Sequence, residues 1–171
     1  MPSAAALENR LNTLYSQYES LRPESSDADL EKFASLFSDN CTVFLKSMRE
    51  AKDPAVNRQA IVAVLREMMK DQYLEKRKVV SQLINEQDSR AFVEMENRYN
   101  VHSKVLEDFP ETLVATFDDE GLVNTFKLYS CRSHLVMMIQ AATGEGPYSE
   151  EIMKGTVTMS TSIVVMIVNI Y

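Results

Sequence analysis

Apolar residues recur at helical spacing along the first third of the chain and alternate with polar ones over most of the rest. Leu7, Leu11, Leu14, Tyr18 and Leu21 stand three and four apart, which predicts an amphipathic helix from about Ala4 to Arg22 that stops at Pro23. Ser26-Asp27-Ala28-Asp29 sets a capping hydroxyl three residues before an acid. Leu30, Phe33, Ala34 and Phe37 follow as the stripe of a second, short helix. Asp39-Asn40 is expected to break that helix, and Cys41-Thr42-Val43-Phe44-Leu45 has the β-branched and aromatic content of a strand. Asp53-Pro54 predicts the start of a third helix with Ala60, Ile61, Val64, Leu65 and Met68 as its buried stripe.

After about Tyr73 the period changes to two. Val79 to Ile84 and Ala91 to Val101 read as long strands linked by the polar Asn85-Glu86-Gln87-Asp88. From Glu111 to Ser130, alternating runs flank the turn Asp118-Asp119-Glu120-Gly121, a hairpin signal. His134 to Ala142 reads as a short helix closed by Gly144 and Gly146-Pro147. Helices first and strands later predict an α+β fold: three N-terminal helices folded onto one face of a curved sheet that encloses a pocket. Residues 1–147 would form this domain and 148–171 a C-terminal extension. From Gly155 onward the extension is uncharged, and Ile163 to Ile170 is nearly continuous aliphatic. That run is too short to cross a bilayer as a helix, which needs about 20 apolar residues. An extra strand, a segment packed on another subunit, a disordered tail and a terminus foreign to the domain all remain open for it.

Composition narrows the partners. The 171 residues are 45% hydrophobic and 25% charged, enough for one domain with a substantial core. A net charge of -7 argues against nucleic acid or an anionic membrane as partner, since both call for clustered Lys and Arg. The one basic run, Lys76-Arg77-Lys78, stands beside Glu75 and reads as a solvated face. Two cysteines, Cys41 and Cys131, make no disulfide framework. The start lacks a charged segment followed by an apolar run, so a reducing, cytoplasmic location is expected. No metal-ligand spacing, phosphate-binding glycine loop or serine nucleophile elbow is present, and metal and cofactor are both expected to be none. His102 is expected on the surface at a strand end, and His134 at the start of the late helix; Cys131 with His134 makes a weak nucleophile and base pair.

Leu36-Phe37-Ser38-Asp39-Asn40-Cys41-Thr42-Val43, at the junction of second helix and strand, and Phe117-Asp118-Asp119-Glu120-Gly121, at the late hairpin, resemble the nuclear transport factor 2-like superfamily, and within it the SnoaL-like proteins. The resemblance covers about Ala4 to Gln140 and implies the cone-shaped fold. That fold hosts isomerases, dehydratases, cyclases, epoxide hydrolases and non-catalytic carriers. By resemblance to the ketosteroid isomerase branch, a general base would fall at Leu45 and an acidic hydrogen-bond donor at Leu113. Leucine at both removes that mechanism, and no catalytic residue is assigned. A first-helix tyrosine donor matches either Tyr15 or Tyr18.

The same alignment turns Ala91, Val93, Met95, Asn97 and Tyr99 to the concave side of one strand and Asn124, Phe126, Leu128 and Ser130 inward on the last. The resulting ligand pocket is Tyr15, Tyr18, Asn97, Tyr99, Leu113, Asn124, Phe126 and Ser130, apolar with a few neutral hydrogen-bonding groups. These residues equally suit a filled core. No titratable group but tyrosine falls inside in this register, and Glu67 or Asp71 at the third helix could reach the mouth. On the outer face Phe92, Val114, Val123 and Tyr129 mix with Glu94, Glu96, Arg98 and Lys127, and the resemblance implies a homodimer through that face. The sequence thus points to a domain that binds an apolar small molecule. As an isomerase, cyclase or dehydratase it would act without cofactor on a polyketide- or terpenoid-like substrate of secondary metabolism. A non-catalytic ligand-binding or assembly module of the same fold is the alternative. No nucleic acid partner and no membrane span are expected.

Overall fold

The Ser3 hydroxyl accepts the Ala6 N–H at 3.3 Å and opens helix α1 (Ala4–Ser20), in a computed structural model that describes residues 2–46 and 54–154. One face of α1 buries Leu7, Leu11, Leu14, Tyr15 and Tyr18. Helix α2 (Asp27–Ala34) begins at the expected capping box: Ser26 Oγ accepts the Asp29 N–H at 3.2 Å and Asp29 Oδ2 accepts the Ser26 N–H at 2.9 Å. Helix α3 (Arg58–Met68) is capped by Asn57, whose Oδ1 accepts the Ala60 N–H at 2.8 Å, and it buries Ile61, Leu65 and Met68. The expected start at Asp53-Pro54 is therefore too early. Ala55 forms a bridge with Val43, which keeps the chain extended past Pro54, and Asn57 supplies the cap; Asp53 lies outside the described residues.

Strand β1 (Phe37–Phe44) also starts earlier than the pattern implied, because α2 ends at Ala34 and Phe37 already pairs with Val123. Asp39 and Asn40 consequently lie inside the strand as exposed positions and do not break a helix. The sheet continues with β2 (Gln72–Lys76), β3 (Val79–Asn85), β4 (Arg90–Val101), β5 (Lys104–Phe117) and β6 (Val123–Tyr129), in the order β1-β6-β5-β4-β2, with β3 pairing β4 beside β2. Neighbours are antiparallel except β1 and β6, which run parallel. The class is α+β as the pattern implied: a strongly curled sheet, with α1 against β2 and β3, and α3 against β1 and α2.

Two stretches of strand were illegible in the alternation. β2 is only five residues long, and β5 begins at Lys104, well before Glu111, although Pro110 interrupts it. Proline is tolerated there because pairing with β6 ends at Thr112, so that side of β5 is open at Pro110. The late turn forms as expected: Asp118 Oδ1 accepts the N–H groups of Glu120 and Leu122 at 3.0 and 2.9 Å, and Gly121 takes a left-handed φ of 73°.

The described residues fall into two compact units, the second beginning at Arg132. In the second, helix α4 (Ser133–Thr143) brackets the expected His134 to Ala142 and closes on Gly144 at φ 79°. Gln140 holds the following turn, its Nε2 donating to the Tyr148 carbonyl at 2.7 Å and its Oε1 accepting the Tyr148 N–H at 3.0 Å. The apolar run Ile163 to Ile170, with the extension from Gly155, lies outside the described residues. Among the described residues no helix is long and apolar enough to cross a membrane.

Candidate functional site

Alternation along β4 turns Ala91, Val93, Met95, Asn97 and Tyr99 to the concave face, where all five are buried, and leaves Phe92, Glu94 and Arg98 exposed. On β5 the same face takes Leu113, Ala115 and Phe117. Two residues earlier the parity carries it to Glu111, which is 7% exposed. One further step buries Phe109, and a bulge around Asp108, at φ 49°, then re-aims the strand so that Leu106 is buried as well. The concave face therefore contains a carboxylate, which corrects the expectation that only tyrosine would titrate inside.

Glu111 Oε2 accepts two hydrogen bonds from β4, from Asn97 Nδ2 at 2.8 Å and from the Tyr99 hydroxyl at 2.7 Å. An isolated carboxylate is costly to bury, and donors fixed on the neighbouring strand offset that cost. The Tyr99 ring is held edge-on to Phe109 at 5.6 Å, so its hydroxyl has little freedom to leave. Burial first, and the negative charge of Glu111 second, push the hydroxyls of Tyr99 and Tyr15 well above the ordinary tyrosine value. Both are protonated donors at neutral pH.

Five buried polar atoms among the described residues have no hydrogen-bond partner: the Tyr15 hydroxyl, Gln17 Oε1, Arg77 Nε, Asn97 Oδ1 and Ser130 Oγ. Each is the kind of group that folding normally satisfies, at a cost of about 1–3 kcal/mol when it does not. The guanidinium of Arg77 lies 4.3 Å over the Tyr15 ring and donates to Asn12 Oδ1 at 3.2 Å. Arg77 is thus half-buried on α1 while Lys76 and Lys78 are exposed. The solvated face read for this basic run holds for the two lysines and fails for the arginine, because the planar guanidinium stacks where an ammonium would not.

The other candidate residues divide by environment. Tyr18 and Phe126 join Tyr15, Phe33 and Phe37 in a closed circuit of ring contacts, with centroids 5.4–6.4 Å apart. Leu113 and Leu45 are buried and apolar. Asn124 is only half-buried: the register shifts beside it, where Thr116 pairs Thr125 while Phe117 pairs Val123. That shift buries Val123 completely, so Val123 leaves the outer face to which alternation assigned it, whereas Phe92 and Tyr129 stay exposed. Glu67 is exposed and paired with Lys70. Asp71 accepts from His102 at the end of the sheet, where Nε2 and Oδ1 are 3.1 Å apart. His102 lies at the end of β4 as expected, in the turn to β5, with φ 46° followed by Ser103 at 65°. Among the described residues no three His, Cys, Asp or Glu side chains could hold a metal ion.

Glu111 was within reach of the sequence. Leu113 and Phe117 fix the inward parity of β5, and extending it by one step reaches Glu111; an acid at the presumed strand start reads instead as a solvated end.

No protein-family model matches the chain, and no curated protein matches it. Solved structures share its fold. A protein of unknown function with a cystatin-like fold from Methylobium petroleophilum PM1 is similar over 86% of this chain and 81% of its own, with a TM-score of 0.55 and 16% identity. A protein from Catenulispora acidiphila in complex with S-DNPA is similar over 77% of this chain and 98% of its own, with a TM-score of 0.52 and 18% identity. A second structure from that organism matches with a TM-score of 0.51 at 18% identity, over 77% of this chain and 96% of its own.

Proposed function

We propose that the chain is a SnoaL-like, small-molecule-binding domain of nuclear transport factor 2-like architecture, and that Glu111 is the proton-transfer group of its concave face. The observation that carries this reading is the buried Glu111 carboxylate, held by Asn97 and Tyr99 and surrounded by apolar residues. A carboxylate in such surroundings is suited to taking a proton from a weakly acidic carbon and returning it elsewhere on the same molecule. The reactions that fit are isomerisation, cyclisation or dehydration of an apolar, oxygen-bearing molecule of polyketide or terpenoid kind. Asn97 Oδ1 and the Tyr15 hydroxyl supply one acceptor and one donor for its polar atoms. The ligand held by the similar protein from Catenulispora acidiphila supports a binding role for this fold. A non-catalytic carrier would use the same groups for orientation alone. Two copies pairing on the outer side of the sheet, where Phe92 and Tyr129 are exposed, complete the proposal.

Native mass spectrometry of the purified chain, followed by extraction, tests for a retained apolar ligand, and cyclic ketones and unsaturated terpenoids provide the substrate panel. Glu111→Gln should keep binding and lose turnover, whereas Asn97→Leu should lose binding. Binding without turnover in the unaltered chain assigns the carrier role. No retained ligand and no binding across the panel overturns the proposal.

A further inference from the structure

Arg77 stands in the short connection between β2 and β3, the two strands that pack on α1. Its backbone N–H donates to the Glu19 carboxylate, which ties the connection to the helix, and its guanidinium lies over the Tyr15 ring. For a half-buried cation the guanidinium is poorly served. Nη1 donates to Asn12 Oδ1 at 3.2 Å and Nη2 to Gln82 Oε1 at 3.4 Å, two long bonds to neutral amide oxygens. Nε is buried with no partner.

The other arginines of the sheet and helices show the usual arrangement: Arg58, Arg66 and Arg98 are paired with Asp39, Asp27 and Glu75. None of the ion pairs among the described residues includes Arg77. Burial holds its guanidinium below the ordinary arginine value, although the charges of Glu19 and Glu8 oppose this from a distance. A charge withdrawn from water is normally neutralised by a partner in contact with it, and here that contact is missing.

We infer that the missing partner is a carboxylate of the ligand: Arg77 holds an acidic head group at the seam between α1 and the β2–β3 connection, and the apolar body of the same molecule runs along Tyr15 into the concave face. Tyr15 joins the two places, since the guanidinium lies on its ring and its hydroxyl feels the charge of Glu111. Nε and one Nη form the edge that a carboxylate meets with two parallel hydrogen bonds. On a chain of net charge -7 an anion needs such a local cation. The inference rests on the concave-face reading given above and narrows its oxygen-bearing molecule to an apolar carboxylic acid.

Isothermal titration calorimetry with geranic acid and methyl geranate at neutral pH supplies the test, because the two share one terpenoid body and differ in charge. The unaltered chain should bind the acid about tenfold more tightly than the ester, or better. Arg77→Met keeps an apolar stem over Tyr15 and should remove that preference while leaving ester affinity within about twofold. Arg77→Lys should retain part of it, since an ammonium keeps the charge without the fork. Circular dichroism confirms that each variant is folded. Equal affinity for acid and ester, a preference that survives Arg77→Met, or no binding of geranic acid would each overturn the inference. Equal binding of both compounds that is lost in Asn97→Leu overturns the role of Arg77 alone and leaves the concave-face reading standing. An acid preference that disappears in Arg77→Met but ignores Asn97→Leu upholds the head-group site and overturns the concave-face reading.

Discussion

The ring circuit of Tyr15, Tyr18, Phe33, Phe37 and Phe126 and the polar cluster of Asn97, Tyr99 and Glu111 are both buried, yet their atoms are satisfied differently. In the circuit every ring meets two others at 5.4–6.4 Å, and the contacts bridge two helices and two strands. Dispersion and burial are non-directional, so such a cluster specifies packing and little chemistry. In the polar cluster the contacts are two directed hydrogen bonds onto one oxygen, and Asn97 retains an acceptor without a donor. Directed groups that do not satisfy one another are those a ligand can use. Tyr15 belongs to both regions: its ring closes the circuit, and its hydroxyl has no protein partner. One face thus holds a region of closed apolar packing next to one whose polar groups are not all satisfied, joined through a single side chain.

Substitutions can break this contrast. Phe126→Ala should have the largest effect, about 3–5 kcal/mol of lost stability in a urea titration, because Phe126 is fully buried and touches two other rings. A loss below about 1 kcal/mol would mean that the circuit is loosely packed. Asn97→Leu should cost less, about 1–3 kcal/mol, by removing one donor from Glu111 while relieving the orphaned acceptor. If it costs as much as Phe126→Ala, the polar cluster is structural and the contrast fails.

Alkali should act on the hydroxyls of both regions. Tyr15 and Tyr99 have folded pKa values above their unfolded ones, so their contribution is fully present below about pH 10 and is lost as pH rises beyond it. Above that pH the unfolded chain has released protons that the folded chain still holds. Each of the two tyrosines therefore lowers stability by about 1.4 kcal/mol per pH unit until its own folded pKa is reached. Urea titrations at successive pH should show this slope halved in Tyr99→Phe; an unchanged slope would show that Tyr99 does not contribute to it. The smallest effect belongs to Tyr15→Phe, which deletes a hydroxyl without a partner and leaves the ring in place. Its melting temperature should correspond to a change within about 0.5 kcal/mol while ligand retention falls. A large destabilisation would assign that hydroxyl to the fold rather than to recognition.

Local pattern was sufficient for α1, the start of α2, the late turn and the inward face of β4. Leu7 to Tyr18, the Ser26 cap and the alternation from Ala91 to Tyr99 each fix an element through neighbours close in the chain, with a period that only one structure satisfies. Tertiary pairing decided the rest. β2 became a strand because β4 is long enough to pair with it beyond β3, and Lys104 to Pro110 because β4 continues past Glu96 and tolerates a proline where β6 has ended. A bulge beside Asn124, which no period announces, exchanged the burial of Asn124 and Val123. Glu111 lies between these cases: its parity was written in Leu113 and Phe117, but its partners Asn97 and Tyr99, fourteen and twelve residues earlier, meet it only through the register of β4 with β5. The sequence by itself determined which residues could be buried, since hydrophobicity and period are local properties. Which polar groups would share that interior, and which would be left without partners, depended on strand register and bulges, set by contacts between segments distant in the chain.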